Sequence, residues 1–274
     1  MASRKLIVWT LGNAGHPSLV CGTSFHHPSL NVKVLTASSP YTLHVKHKIL
    51  EGLSSILEGV EESDIVAFHD GHDATLWCNE DELLSIFDSF DCDILLGGEA
   101  FLYPALGYDP GGSDRFRFFN SGAYMGKAWA LRKFVDYCRA LPEARLGCDQ
   151  GAFHEYVKSG RALSDKVRVQ VDRKERLMSN MAHAQECAPD FLEYDGGDRV
   201  KGVNKCTGHP TCGIHFNGLP NEEFEKTCRQ LRRSLKPEPK MRHYQIVWVI
   251  AVLGALFFIC AMLMKVPRAP RQAT

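Results

Sequence analysis

The segment Phe68-His69-Asp70-Gly71-His72-Asp73 holds two carboxylates three residues apart, beside a glycine and directly after an apolar run. Carboxylates are hard oxygen ligands that suit Mn²⁺ or Mg²⁺. A divalent ion held there can bridge a diphosphate and neutralise charge on a departing nucleoside diphosphate. An acidic turn capping the next element is the alternative. Zinc is a third reading, because His69, His72 and Cys78 lie close together and imidazole and thiolate both suit it. That reading lacks a clear fourth ligand, and residues 69 and 72 point to different sides if the strand continues.

Further polar residues sit beside glycines downstream. They are Glu99 in Gly97-Gly98-Glu99-Ala100-Phe101-Leu102-Tyr103-Pro104, Ser121 in Phe119-Asn120-Ser121-Gly122-Ala123-Tyr124-Met125-Gly126, Asp149 in Cys148-Asp149-Gln150-Gly151, and His215 in Ile214-His215-Phe216-Asn217-Gly218. Residues 119–123 lack the Gly-x-Ser-x-Gly of a hydrolase elbow. No Walker loop and no dinucleotide fingerprint occurs.

Such groups need strands and helices to aim them. Residues 6–11, 32–35, 64–68, 93–96 and 167–171 read as strands. Ile49, Leu50, Leu53, Ile56 and Leu57 share one helical face, and residues 128–141 and 150–157 are amphipathic and helical. Asn79 followed by Glu82 predicts an N-cap and a helix through Phe87. Strands alternating with helices predict an α/β fold with a largely parallel sheet, whose ligands bind beyond the carboxyl ends of the strands. Residues 195–220, rich in Gly and Pro, read as loop, and residues 222–235 as a short polar helix.

Net charge is zero, with 32 basic against 32 acidic residues, so the footprint of a nucleic-acid binder is missing. The ten cysteines contain no CxxC pair. They read mainly as free thiols, with Cys206–Cys212 the first choice for any disulfide. No Asn-x-Ser/Thr sequon occurs, and the apolar run at residues 6–11 is too short for a signal peptide. Residues 244–264, YQIVWVIAVLGALFFICAMLM, carry no charge and match the apolar length of a bilayer core. They predict a C-terminal transmembrane helix. The flank before it carries Arg229, Arg232, Arg233, Lys236, Lys240 and Arg242, against Lys265, Arg268 and Arg271 after it. The positive-inside rule then places the large domain in the cytosol, with a lumenal placement as the competing view.

Taken in order, the motifs resemble the glycosyltransferase domain of the procollagen lysyl hydroxylases. They run from the strand-end D-x-x-D through the Glu followed by Tyr-Pro, the Ser-Gly segment and the Asp-Gln helix start to the late His-x-Asn-Gly. The resemblance spans residues 6–220 and implies a GT-A (Rossmann-like) nucleotide-sugar fold, a UDP-sugar donor and Mn²⁺ or Mg²⁺. It implies that Asp70, Asp73 and His215 hold the metal, with Thr10, Lys46, Asp70 and Gly218 on the donor side and Asp149 and Glu99 in catalysis. The chain departs from the family at 147–149, where an acid-rich stretch is reduced to Gly-Cys-Asp, and at Phe216, where glycine is favoured.

The reading is therefore a hexosyltransferase acting on a glycan or protein acceptor, with membrane lipid as a further partner. The alternative is a membrane-tethered pseudo-glycosyltransferase or scaffold. The expected domains are 1–221 for the catalytic domain, 222–243 for a juxtamembrane segment, 244–264 for the membrane helix and 265–274 for a basic tail.

Overall fold

The computed structural model describes residues 4–229 apart from 14–15, 17, 20–22, 24–26, 28, 38–43, 106, 143–144, 146, 193–200, 220–221, 223 and 227. The chain divides into two compact units, Met1–Leu231 and Arg232–Thr274, and the first holds every described residue.

The main sheet contains β1 (Leu6–Asn13), β2 (Val32–Ala37), β3 (Ile65–Asp70), β5 (Ile94–Glu99), β6 (Phe118–Lys127) and β7 (Val169–Asp172), in the order β2-β1-β3-β6-β5-β7. Ile65 to Phe68 are buried in succession, as the continuous apolar run of a strand covered on both faces requires. One face carries α1 (Val45–Leu53), which runs into α2 (Ser54–Leu57), together with α4 (Ala128–Arg139) and α5 (Asp149–Lys158). Their apolar sides meet Trp9, Phe68 and Tyr124. Phe134 of α4 stacks on Phe153 of α5 with centroids 3.8 Å apart. Burying each ring is worth about 2–3 kcal/mol. The other face carries α3 (Glu80–Asp88), whose Leu83, Ile86 and Phe87 pack beneath Leu95 and Met125. The Asn79–Glu82 capping box that opens α3 is formed in both directions.

The sheet is largely parallel, as expected, with a single reversed strand. β6 runs antiparallel between β3 and β5. Asn120, Ser121, Gly122 and Gly126 gave it the composition of a turn. β3 pairs with Ala123–Lys127 and β5 with Phe118–Asn120 and Tyr124–Gly126, which keeps the segment a strand around a bulge at Ser121 and Gly122, and every residue but Lys127 is buried. The stretch expected as loop over 195–220 also contains strands. A second sheet joins β4 (Ala74–Leu76), β12 (Gly213–His215) and β8 (Ser179–Asn180) in the order β4-β12-β8. A third joins β9 (Asp190–Leu192), β10 (Lys201–Val203) and β11 (Pro210–Thr211). Runs of two or three residues show too little alternation to be read as strands.

Disulfides join Cys78 to Cys212 and Cys187 to Cys206. The expected Cys206–Cys212 pair does not form. β12 docks beside β4, so the Trp77 amide donates to Cys212 O at 2.8 Å and Cys78 lies against Cys212. Disulfides of this kind belong to an oxidising environment.

The membrane expectation is also corrected. Residues 244–264 lie outside the described residues, and among the described residues no helix is long and apolar enough to cross a membrane. An apolar run meets the length condition, but an anchor also needs a continuous helix of that length. The transmembrane helix, the single-pass assignment and membrane lipid as a partner are withdrawn.

Candidate active site

β3 delivers Asp70 at its carboxyl end, and the following turn delivers Asp73 immediately before β4. Gly71 is required in that turn, because a Cβ there would meet Leu11 O at 2.5 Å. β12 lies antiparallel to β4 with His215 opposite Ala74, which carries the imidazole back to the turn from far along the chain. His215 Nε2 is 3.3 Å from Asp73 Oδ1 and 3.6 Å from Asp70 Oδ2. One ligand atom from each of the three residues lies within 4.8 Å of the others. The ring rests on β6 at Gly122, where a Cβ would overlap it at 2.0 Å from Cε1. The glycine of the Ser-Gly segment is explained by that contact.

This donor set fits a divalent cation. Two carboxylates and an imidazole supply the mixed oxygen and nitrogen ligation that Mn²⁺ accepts, and the carboxylates alone suit Mg²⁺. Burial pulls the His215 imidazole down, but Asp73 and Asp70 outweigh it and raise it overall. Burial likewise pushes up the Asp73 carboxyl, yet His215 holds it below its usual value. The zinc grouping does not assemble. Cys78 is in a disulfide, His69 is buried with Nδ1 at 3.0 Å from Asp70 O, and His72 Nε2 accepts from the Asn13 amide at 3.1 Å.

A second charged group lies beside the first. Lys48 Nζ is 2.9 Å from Asp70 Oδ1 and 2.7 Å from Asp149 Oδ2, and it sits 4.8 Å from the centroid of the Phe68 ring. Asp149 opens α5 and also faces His44 Nδ1 at 3.4 Å. Burial pushes the Asp149 carboxyl up, but Lys48 and His44 win and hold it well below the usual carboxylate range. Glu99, at the end of β5, is buried and accepts from Gln150 Nε2 at 2.9 Å and Asn217 Nδ2 at 2.5 Å. Burial raises its carboxyl against those hydrogen bonds. Asp70, Asp73, Glu99, Asp149, His215 and Gly218 all line one cavity of about 410 Å³. A neighbouring cavity of about 520 Å³ shares Gly147 and Cys148 with it.

Two expected donor-side residues are not brought to this cavity. β1 extends to Asn13, so Thr10 is mid-strand and fully buried, and its hydroxyl donates to His69 O at 2.8 Å. Lys46 is exposed. Lys48 lies about half a turn further along the helix and faces inward. The sequence reading missed Lys48, and its signal was the placement of a lysine between Val45 and Ile49 on the apolar face of α1.

A family model described as the PLOD GT domain matches residues 43–240, more than half of the chain. The chain belongs to this family. As a PLOD GT domain it is a glycosyltransferase of the GT-A type, and both halves of the site lie within the matched residues. Among solved structures, a glycosyltransferase involved in glycosylation of the major capsid of PBCV-1 is 13% identical with a TM-score of 0.48, covering 82% of this chain and 99% of that one. Galactosyltransferase LgtC, solved with donor and acceptor sugar analogues, is 14% identical with a TM-score of 0.47, covering 88% and 99%. Mouse xyloside xylosyltransferase 1 is 12% identical with a TM-score of 0.42, covering 79% and 99%. No curated protein matches the chain.

Proposed function

We propose that this PLOD GT domain moves a hexose, glucose or galactose, from a UDP-sugar to a hydroxyl of a glycan or protein acceptor. The supporting observation is the convergence of Asp70, Asp73 and His215 in a cavity that also contains Asp149 and Glu99. Asp70, Asp73 and His215 would hold Mn²⁺ or Mg²⁺, which when bound supplies positive charge for the diphosphate. Transfer breaks the bond from the sugar anomeric carbon to the UDP oxygen and forms one to the acceptor oxygen, whose proton must leave.

Asp149, locked between Lys48 and His44, stays ionised and is suited to accept hydrogen bonds from sugar hydroxyls. Glu99 is buried, with its carboxyl raised by that burial, and is better suited to take a proton from the acceptor. Gly218, in a left-handed conformation with φ of 73°, lets the chain turn at the cavity wall. The cavity sharing Gly147 and Cys148 gives the acceptor a route of approach.

A panel of UDP-sugars assayed for hydrolysis and transfer, with Mn²⁺ and with EDTA, tests this reading. Asp70→Asn and Asp73→Asn should each lower kcat/KM by about 4 kcal/mol of transition-state stabilisation, roughly 1,000-fold. Full activity in the doubly substituted protein, or no turnover of any donor by the parent chain, would sink the proposal. The second result would leave a non-catalytic scaffold as the reading.

A further inference from the structure

His215 is hydrogen-bonded to a buried chain of uncharged amides and one carboxyl. His215 Nδ1 lies 2.8 Å from Asn180 Oδ1. Asn180 Nδ2 donates to Gly98 O at 2.6 Å, and its backbone amide donates to Glu175 Oε1 at 2.8 Å. The other oxygen, Glu175 Oε2, accepts from Asn204 Nδ2 at 2.5 Å, and the same nitrogen donates to Ser179 Oγ at 3.0 Å. Asn204 Oδ1 in turn accepts the amides of Cys206 and Thr207, both at 2.9 Å. Glu175, Asn180 and Asn204 are each fully buried.

The chemistry of these partners fixes the direction of every bond. Gly98 O is a carbonyl and can only accept, so the Asn180 atom facing it must be the NH₂ group. The atom facing His215 is then the amide oxygen, which can only accept, so Nδ1 of His215 must carry a proton. A neutral imidazole protonated at Nδ1 has its lone pair at Nε2, the nitrogen turned toward Asp70 and Asp73. The Asn204 amide is fixed by the same logic, because two backbone N–H groups select its oxygen.

The arrangement is costly, which argues against a packing accident. Glu175 places a carboxyl in the interior, and burial raises it well above its usual value. Its backbone lies in the left-handed region at φ 51°, where a residue with a side chain is strained. Strain and buried polarity persist where surrounding structure over-determines them.

We propose that Asn180, held by Glu175 and Asn204, is a positioning residue that selects the Nδ1–H tautomer of His215 and presents Nε2 to a divalent cation. The inference rests on the metal reading above and deepens it. Outer-shell partners of this kind alter metal affinity by about 10- to 100-fold.

The test uses the full chain and Mn²⁺ alone, with free ion counted by electron paramagnetic resonance. Asn180→Ala should weaken Mn²⁺ binding by about 10- to 100-fold. Asn180→Asp, which keeps an acceptor for Nδ1–H, should recover most of that loss. Asn204→Ala should give a smaller loss in the same direction. A second readout needs no metal. In ¹⁵N-histidine-labelled, metal-free protein at alkaline pH, with the His215 signal assigned from His215→Gln, the parent ring should show the Nδ1–H tautomer. Asn180→Ala should show a mixture of tautomers.

Parent-like Mn²⁺ affinity in Asn180→Ala, or an unchanged ring tautomer, overturns the inference. So does a loss that follows the folded fraction, with Asn180→Asp no better than Asn180→Ala. Failure of the parent chain itself to bind Mn²⁺ overturns the metal reading instead, and the ring tautomer then still decides the role of Asn180.

Discussion

The two halves of the cavity hold their carboxylates by opposite means. Asp70 and Asp73 stand on a strand end and a turn, about one-fifth exposed, opposite a histidine carried in by a three-residue strand. That half gains rigidity from the Cys78–Cys212 cross-link and from backbone pairing between short strands. Asp149 stands on a helix start, 4% exposed, and is held by the buried cation Lys48 and by His44. No disulfide touches it. The second half has built a cation in, and that cation also reaches Asp70 of the first at 2.9 Å, which leaves Asp73 the carboxylate most ready for an external cation. The difference teaches that equal charge in one cavity need not mean equal availability. Asp149 is neutralised within the protein, whereas Asp73 has its charge balanced mainly by a histidine that a metal could replace as partner.

Removing the built-in cation should break the comparison most strongly. Lys48→Met leaves Asp149 buried without its main partner, at a cost of about 3–5 kcal/mol in unfolding free energy measured by denaturant titration. Adding Asp149→Leu should restore most of that stability, because an apolar pair of similar volume can replace a buried ion pair. Transfer activity should stay lost in the double variant. If Lys48→Met unfolds at the parent's midpoint, the buried pair is not what holds this half together.

Cutting the cross-link should weaken the other half by somewhat less. Cys78 and Cys212 are 134 residues apart, and closing so long a loop restricts the unfolded chain considerably. Replacing both by serine should lower stability by about 3 kcal/mol, with a lower Tm in calorimetry. Lys48→Met should also disturb Mn²⁺ binding, because Lys48 contacts Asp70 as well as Asp149. A parent-like Tm in the doubly substituted protein would show that the cross-link does not stabilise this half.

The smallest effect sharpens the comparison from outside the cavity. Asp93 Oδ1 accepts from Lys127 Nζ at 2.8 Å, and Oδ2 accepts the Arg168 amide at 3.0 Å and its Nε at 3.3 Å. Burial pushes this carboxyl up, but Lys127 and Arg168 hold it below its ordinary value. A depressed carboxylate contributes stability that is fully present above its unfolded pKa, about 3.9, and is lost as pH falls through the folded value. Asp93→Asn should therefore remove about 1 kcal/mol at neutral pH, a modest figure because both cations are partly exposed. It should also flatten the acid limb of the stability–pH curve. An unchanged limb would mean that the ion pairs with Lys127 and Arg168 are screened by solvent.

Much of this organisation was legible in the residues, for stated physical reasons. Continuous apolar runs announced β3 and β5, and Asn79 with Glu82 announced the start of α3. β6 was not legible, because its Asn-Ser-Gly centre obeys the needs of the His215 ring rather than β propensity. The motif order brought out Asp70, Asp73, Glu99, Asp149 and His215, which the structure gathers around one cavity. Lys48 was hidden behind Lys46, since a lysine two residues away has the same chemistry and the helix face alone tells them apart. The disulfide partners were illegible because the docking of β12 on β4, not spacing along the chain, brings Cys212 to Cys78. Asn180 and Asn204 carried no signal, being single amides, one in a two-residue strand and the other just after a three-residue strand.

β12 is the last strand to join the second sheet, and it seats between β4 and β8, which are made earlier. During synthesis Asp70 and Asp73 emerge first, and the strand that completes their site follows more than 130 residues later, as the 134-residue separation of Cys78 and Cys212 shows. At ordinary elongation rates that interval is roughly 7 to 27 seconds. Throughout it the nascent chain has its acidic turn but not the imidazole, and Cys78 has no Cys212 to meet. The site thus arrives with a clock: the growing polypeptide cannot assemble the full ligand set until nearly all of the domain has been made.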